Sequence, residues 1–211
     1  MLIELNQVKP EPIPKEMVAR SDIWGTRLNI EPKSFTLISA HSGKGKSTLL
    51  HLLYGLRNDY SGEASIDGQS LEKQEMGDWT RLRSQKIALL FQELRLFPKL
   101  SAQENITLIP ESNPQVPTET EMAERLGMKE FLSKPIENLS FGQRQRIAII
   151  RTLRKPFKLL LLDEPFSHLD KKNEKLSSSL IEEIVRANEA TVLVTSLGES
   201  PPLPFDRTLS L

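Results

Sequence analysis

The sequence predicts an α/β fold built around a mostly parallel sheet. Four short apolar runs predict buried strands, at 35–40, 86–91, 159–162 and 191–195. Segments with helical spacing separate these runs, and strands that alternate with helices favour a parallel sheet. Residues 2–8 alternate apolar and polar side chains. This alternation is typical of an amphipathic strand, so we expect an antiparallel β part at the N-terminus.

Helices are predicted between these strands. Apolar residues with helical spacing favour four helices, over 47–56, 118–126, 141–154 and 172–188. Gly55 ends the first of them, because glycine readily takes the left-handed conformation that terminates a helix. Pro10, Pro12 and Pro14 exclude regular structure for several residues after the first strand.

The chain length fits one domain with a small insertion. A chain of 211 residues can bury one substantial core. Between Pro98 and Pro135 the composition changes and further prolines interrupt the pattern. We therefore predict a single domain with an α/β core over 1–92 and 140–211, and a helical subdomain inserted over 93–139.

The composition excludes several classes of function. Lys and Arg number 28 and Asp and Glu number 28, so no strong field attracts nucleic acid or an anionic membrane. The absence of cysteine excludes disulfides and thiolate metal sites. No apolar stretch approaches the roughly 20 residues that cross a bilayer, and the N-terminus lacks the pattern of a signal peptide. We expect a cytoplasmic protein that binds no nucleic acid and has no direct membrane insertion.

A glycine-rich loop lies between the predicted strand 35–40 and the helix that follows it. Residues 40–48 match the phosphate-loop pattern G-x-x-x-x-G-K-[ST] except at the first position, which is Ala40. Glycine lets backbone N–H groups curl around phosphate oxygens, and the helix N-terminus adds donors and partial positive charge. Lys46 can reach the β- and γ-phosphates, and the Ser47 hydroxyl can ligate Mg²⁺. The predicted nucleotide contacts are Ser42, Gly43, Lys44, Gly45, Lys46, Ser47 and Thr48.

The apolar run 159–162 leads directly into two carboxylates, Asp163 and Glu164. Open parallel sheets bind ligands at the carboxyl ends of their strands, where the phosphate loop also lies. Asp163 suits a role in holding Mg²⁺, and Glu164 could polarise the water that attacks the γ-phosphate. Alone, each feature has a plainer alternative: a glycine turn that caps a helix, or a strand that ends in a solvated acidic turn. Together they predict a P-loop NTPase core that uses ATP and Mg²⁺.

A second predicted anion site precedes this strand. Residues 139–146 read L-S-F-G-Q-R-Q-R, and Ser140 with Gln143 matches a capping box at a helix start. A capped helix start beside a glycine, here Gly142, can present a hydroxyl and backbone N–H groups to a phosphate. A plain helix cap and an anion site are therefore compatible interpretations of the same stretch.

The order of these parts resembles the ATP-binding cassette (ABC) family over essentially the whole chain. The resemblance lies in five segments, 40–50, 89–98, 139–153, 159–170 and 191–196. It implies a head-to-tail ATP sandwich with a second cassette subunit, identical or different, in which the signature residues of one subunit meet the γ-phosphate held by Lys46 of the other. Those signature residues are Ser140, Gly142 and Gln143. The implied catalytic residues are Lys46, Gln92 and Glu164, and the implied Mg²⁺ ligands are Ser47, Gln92 and Asp163.

The resemblance also implies a partner in the membrane. Residues 95–98, Arg-Leu-Phe-Pro, lie where cassette ATPases receive a short helix from an integral membrane permease, and ordinary packing between the lobes is an equal alternative. The compact length is similar to that of ATPases paired with lipoprotein-releasing, macrolide-exporting or cell-division permeases. Such a protein lies on the cytoplasmic face of the membrane and is held there by its permease. By the same resemblance, Asp170 would fall in the loop that crosses the interface between the two cassettes.

Three positions depart from the family pattern. Phe141 replaces a glycine of the signature. The stretch 9–20, where an aromatic residue that stacks on adenine is expected, has none, and the nearest one, Trp24, could belong to the core instead. Ser196 stands where the family carries a switch histidine. A hydroxyl is too short to replace imidazole there without help such as a bridging water. This substitution predicts slow hydrolysis, or pairing with a different cassette that carries an intact site.

Two alternatives to a transport-coupled ATPase stay open. A soluble cassette ATPase that acts on DNA or the ribosome usually carries two cassettes or long coiled-coil insertions, and neither is seen in this sequence. A regulatory subunit of a heterodimer would close on ATP and hydrolyse it weakly. Ser196 favours that alternative and Glu164 opposes it.

Overall fold

The computed structural model describes residues 1–11, 13–40, 43, 45–109, 113–198 and 200–211, without the side chain of Lys15. The strands in these ranges are β1 (Ile3–Pro10), β2 (Arg27–Ile30), β3 (Phe35–Ser39), β4 (Tyr60–Ile66), β5 (Gln69–Ser70), β6 (Ile87–Leu90), β7 (Leu159–Asp163), β8 (Thr191–Ser196) and β9 (Arg207–Ser210). The α-helices are α1 (Lys15–Val18), α2 (Lys46–Leu53), α3 (Met76–Gln85), α4 (Ala102–Thr107), α5 (Glu119–Arg125), α6 (Phe141–Arg154) and α7 (Lys171–Ala187).

A five-stranded parallel sheet with the order β6-β7-β8-β3-β9 forms the centre of the fold. A second sheet, with the order β2-β1-β4-β5, is antiparallel. The predicted fold class, an α/β protein with a mostly parallel sheet and an antiparallel N-terminal part, is confirmed. No helix of the described ranges is long and apolar enough to cross a membrane.

The parallel strands are buried on both faces, which explains their continuous apolar sequences. Alternate residues of β7 point to opposite sides: Leu160 and Leu162 join a core with α6 and α7, and Leu159 and Leu161 join a core with α2 and the antiparallel sheet. This alternation fixes the register of β7 and so determines where the residues after it emerge.

The regular elements in the described part of the segment from 93 to 139 are short helices. The segment contains α4 and α5, which both pack on α6, and two short 3₁₀ helices at Lys129–Phe131 and Ile136–Asn138. Ser101 and Thr118 cap α4 and α5 through capping boxes. α6 therefore contacts both this helical segment and the central sheet, because it also packs on β6.

The prolines near the N-terminus interrupt less structure than predicted. β1 continues to Pro10, which pairs with Tyr60, and α1 begins one residue after Pro14. Proline is tolerated at a strand end and just before a helix, because neither position requires its missing N–H. The Pro14 carbonyl accepts hydrogen bonds from the N–H groups of Met17 and Val18.

Candidate functional site

The phosphate loop joins β3 to α2 at the carboxyl edge of the parallel sheet. Gly43 and Gly45 have φ values of 79° and 91°, in the left-handed region that favours glycine. A Cβ on Gly45 would lie 2.6 Å from Cδ1 of Ile13, so only glycine fits there without displacement. Ser47 and Thr48 lie in the first turn of α2. Ser42 and Lys44, also predicted as nucleotide contacts, lie outside the described residues.

Lys46 extends from the start of α2 towards the acidic strand end. Its Nζ donates a hydrogen bond to the Ala40 carbonyl at 2.9 Å and lies 3.3 Å from Oε1 of Glu164. The side chains of this ion pair are only 6% and 7% exposed. The ammonium is therefore held at the sheet edge next to the predicted catalytic carboxylate.

β7 delivers Asp163 and Glu164 to the same edge. Asp163 is 3% exposed, and Glu164 has a φ of 48°, which turns the chain out of the strand direction. The Glu164 N–H donates to Oγ1 of Thr195 at 3.0 Å, and this hydroxyl donates to Oδ1 of Asp163 at 2.7 Å. The strand register places Asp163 directly opposite Thr195. A buried residue of the neighbouring strand thus contacts both acidic residues.

Gln92 reaches the site from the segment after β6. Its Nε2 donates to Oε2 of Glu164 at 3.4 Å, so the two oxygens of Glu164 contact Gln92 and Lys46. The structure therefore brings together the three residues predicted as catalytic, and Asp163 lies beside them.

An arginine of α6 holds the segment that follows Gln92. Arg151 donates to the carbonyls of Leu94 and Arg95 at 2.5 and 2.8 Å. Both residues have left-handed φ values, 59° and 47°, which are uncommon for side chains with a Cβ. Burial lowers the pKa of the Arg151 guanidinium. α6 is thereby connected to the turn next to Gln92.

The signature residues lie at the start of α6. Ser140 Oγ accepts from the Gln143 N–H at 3.3 Å, and Oε1 of Gln143 accepts from the Ser140 N–H at 2.8 Å, which confirms the predicted capping box. A Cβ on Gly142 would lie 3.0 Å from the His168 carbonyl oxygen. The half-exposed Phe141 ring contacts the His168 imidazole with the centroids 4.0 Å apart. Ser140 and Gln143 therefore pair with each other, at an exposed helix start.

The signature helix is also tied to the acidic turn. Nε2 of the buried Gln145 donates to the Pro165 carbonyl at 2.8 Å. Asp170 caps α7, where its Oδ1 and Oδ2 each accept a hydrogen bond of 2.8 Å from Asn173. The hydrogen bond from the Asn173 backbone N–H, and then that from its side-chain amide, lower the pKa of Asp170. The turn from 164 to 170 is thus fixed at both ends by side-chain contacts.

Trp24 and Ser196, which also depart from the expected pattern, have defined surroundings in the structure. Trp24 is only 1% exposed and packs in the core with α2 and the antiparallel sheet, so it is not a surface for adenine. Ser196 ends β8 opposite Ser39, and its carbonyl accepts from the Ala40 N–H at 3.2 Å. Ser196 also lines a cavity of about 510 Å³ that Glu164 and Ser167 share.

Sequence reasoning missed Thr195, Gln145 and Arg151 as contacts of the site. The only available signal was a polar residue inside an otherwise apolar strand or helix face. Such a residue needs a hydrogen-bonding partner when it is buried. The identity of that partner depends on strand register and helix packing, which the sequence pattern does not specify.

The donor set fits a nucleotide with a magnesium ion. No group of three or more His, Asp or Glu side chains within the described ranges could hold a metal by itself. Mg²⁺ is commonly bound by one or two protein oxygens together with substrate phosphates and water. The Ser47 hydroxyl and the Asp163 carboxylate are oxygens of the kind that would hold the ion. The fold and the site thus define a nucleotide-binding α/β ATPase.

Comparison with known proteins identifies the family. The family model described as ABC transporter matches residues 24–167. The lipoprotein-releasing system ATP-binding protein LolD of Buchnera aphidicola subsp. Schizaphis graminum is 37% identical over 174 residues, which cover 80% of this chain and 76% of that protein. The thiamine import ATP-binding protein ThiQ of Vibrio vulnificus is 34% identical over 181 residues, which cover 83% of this chain and 74% of that protein.

A solved structure supports the same assignment. The dimeric ATP-binding cassette MJ0796, in a post-hydrolysis state bound to ADP and Pi, superimposes with a TM-score of 0.75 at 29% identity. The match covers 93% of this chain and 88% of that chain. The chain therefore belongs to the ABC transporter family, and it is an ATPase of that family. The resemblance inferred from the motifs is confirmed.

Proposed function

We propose that this chain binds ATP with Mg²⁺, closes on it together with a second cassette subunit, and powers a separate membrane permease. The contact of Lys46 and Gln92 with the two oxygens of Glu164 is the observation that carries the proposal. A lysine, an amide and a carboxylate beside a phosphate loop are the parts that phosphoryl transfer to water requires.

Lys46 has two successive partners in this scheme. Its ammonium contacts Glu164, and the same ammonium can bind the β- and γ-phosphates of ATP. Because phosphate carries more negative charge than one carboxylate, the lysine exchanges partners and releases an oxygen of Glu164. Glu164 then accepts a proton from the attacking water as a general base, and Gln92 orients that water.

Ser47, Gln92 and Asp163 would hold Mg²⁺ at this edge. The ion supplies neutralisation of the phosphate charge when it is bound. Backbone N–H groups of the phosphate loop would bind oxygens of the phosphates as well, and the positive end of the α2 dipole would favour their negative charge.

We further propose that Ser140, Gly142 and Gln143 complete the ATP site of the partner cassette. The start of α6 is exposed, and the positive end of a helix dipole favours an anion there. The Gln145 contact with Pro165 connects this helix to the turn that carries Glu164. Residues 93–139 would then act as a subdomain that moves the signature relative to the core. Both a homodimer and a heterodimer are compatible with this arrangement.

A groove beside Gln92 suits a short helix of the permease. Phe97 is 57% exposed and borders, with Tyr54, Phe91 and Leu108, a cavity of about 270 Å³. The described lining includes three cationic side chains and no carboxylate, namely Arg95, Arg151 and Lys155. An amphipathic helix with an acidic residue would complement this groove. Docking there would act on the turn that Arg151 holds next to Gln92, and would place the chain on the cytoplasmic face of the membrane.

Purification from detergent-solubilised membranes tests this assignment. The C-terminally tagged chain should co-purify with an integral membrane protein identified by mass spectrometry. Phe97→Glu should lose that partner, because a carboxylate replaces the apolar surface of the groove. The control Leu176→Glu changes an exposed apolar residue on α7 and should retain it. Equal recovery with both variants would contradict the groove as the docking site.

A second function, a regulatory subunit that binds ATP and hydrolyses it weakly, is favoured by one observation. Ser196 lies next to Glu164 at the position where the family carries a histidine. In a heterodimer the partner cassette would then supply the faster site. The ATPase rate of the purified chain alone distinguishes the two functions.

A further inference from the structure

We propose that Thr195 is a positioning residue that sets the geometry of both acidic residues of the ATP site. The inference rests on the proposed ATPase function, and it assigns a role to a residue outside the phosphate loop, the signature and the acidic pair. Thr195 acts through its hydrogen bonds to Asp163 and Glu164.

The hydrogen bonds of Thr195 are directional. Its Oγ1 accepts from the Glu164 N–H at 3.0 Å and donates to Oδ1 of Asp163 at 2.7 Å, while the Leu162 carbonyl is more distant, at 3.5 Å. A hydroxyl has one proton and can accept as well as donate, so these two bonds use it in both senses. Thr195 is fully buried, and no water competes for the hydroxyl at 0% exposure.

The bond to Asp163 fixes which carboxylate oxygen faces the ion. Oδ1 accepts the Thr195 proton, which leaves Oδ2 as the oxygen that would be available to Mg²⁺. A short hydrogen bond from a hydroxyl to a carboxylate is stronger than one between neutral groups. Partners of this kind, one step removed from a metal, orient the ligands that touch it.

The bond to Glu164 fixes the turn that follows β7. A residue with a side chain in the left-handed region costs about 1 kcal/mol relative to the strand conformation, so the turn needs support. The Thr195 hydroxyl holds the Glu164 N–H in this conformation. As a result the Glu164 side chain leaves the strand direction and meets Lys46 and Gln92.

Threonine suits this position better than serine. A β-branched side chain has a restricted χ1 angle in a strand, so less side-chain entropy is lost when the threonine hydroxyl is held towards the acidic pair. Serine keeps the hydroxyl and loses only this restriction. Valine has nearly the shape of threonine and removes the hydroxyl, which leaves the Glu164 N–H and the Asp163 oxygen without this partner.

Thr191 provides a matched control on the same strand. It is also fully buried. Its Oγ1 accepts from the backbone of Lys33 and from the N-terminal amino group of Met1, and donates to the Met1 carbonyl at 2.8 Å. Thr191→Val therefore removes an equivalent buried hydroxyl at the opposite end of β8, away from the acidic pair.

The test compares Thr195→Val, Thr195→Ser and Thr191→Val with the wild type. Binding of a fluorescent ATP analogue is titrated with Mg²⁺ and in excess EDTA, thermal unfolding is recorded without nucleotide, and phosphate release is measured. Thr195→Val should weaken the apparent Mg²⁺ affinity and kcat by about 10–100-fold, the range found when such outer partners are removed. Binding in EDTA should be retained, because the phosphate loop is unchanged. Thr195→Ser should restore most of the loss.

The control separates positioning from stability. Thr191→Val should lower the unfolding temperature to a similar degree as Thr195→Val and leave the Mg²⁺ dependence unchanged. An unchanged Mg²⁺ dependence in Thr195→Val, or an equal change in Thr191→Val, would overturn the inference. Failure of the wild type to bind the analogue at all would instead refute the proposed function, and the inference with it.

Discussion

Replacement of Ser196 by histidine should accelerate ATP hydrolysis. Ser196 ends β8 and lines the cavity of about 510 Å³ that also borders Glu164 and Ser167. The neighbouring Leu197 is half exposed, so this end of β8 is not enclosed by the core. The resemblance to the family implies a histidine at this position that would contact the γ-phosphate.

The magnitude follows from one hydrogen bond to a charged group. Such a bond contributes about 1.5–3 kcal/mol. Each 1.4 kcal/mol that acts only on the transition state changes a rate by about tenfold. We therefore expect Ser196→His to raise kcat by about 10–100-fold, with KM for ATP nearly unchanged.

Steady-state phosphate release with saturating ATP and Mg²⁺ measures this effect. Ser196→Ala is the matched control and should resemble the wild type, because a hydroxyl does not replace the imidazole. Lys46→Ala gives the background from contaminating ATPases. A wild-type rate as high as that of Ser196→His, in a homodimer, would refute the reasoning. The heterodimer alternative would then also lose its support.

Two further predictions concern stability. Gly55→Ala should lower the free energy of unfolding by about 2–4 kcal/mol, because Gly55 has a φ of 71° and a Cβ there would lie 2.3 Å from the Trp79 ring. Gly68→Ala is the control, because Gly68 has a φ of 75° and open space around an added Cβ, and it should cost only about 1 kcal/mol. Urea titration of both variants measures the two losses, and equal losses would contradict the role of Trp79. His51 packs near Phe91, and burial lowers the pKa of its imidazole. Because the unfolded chain binds this proton more readily, the wild type should lose stability relative to His51→Gln as pH falls from 7.5 through about 6.5 towards the lowered pKa; a pH-independent difference would contradict this.

Prediction from sequence succeeded where a long pattern had one physical cause. α6 and α7 carry apolar residues at helical spacing over several turns, and β7 is apolar on both faces because a hydrophobic core covers each face of the sheet there. These three elements lie within one residue of their predicted bounds. The acidic pair and the capping box followed directly from those bounds.

Several elements had no such pattern. β9 reads Arg-Thr-Leu-Ser and buries only Leu209, and α3 has no buried residue to create an apolar stripe. β4 contains Gly62, and its first four residues are not buried. These segments are held by strand pairing and by neighbours distant in sequence, and local preference does not reveal either. The contacts of Thr195 depend in the same way on the register between β7 and β8.

The most direct test of the central claim is the assembly state of Glu164→Gln with ATP and Mg²⁺. Glutamine keeps the shape of the side chain, removes the general base and removes negative charge beside the γ-phosphate, so ATP should remain bound and intact. Gel filtration with light scattering should show a dimer of the 23.9 kDa chain with ATP and a monomer without it. Adding Lys46→Ala to this variant should abolish the dimer, because the phosphates lose their lysine. A Glu164→Gln chain that binds ATP and stays monomeric would contradict the ATP sandwich.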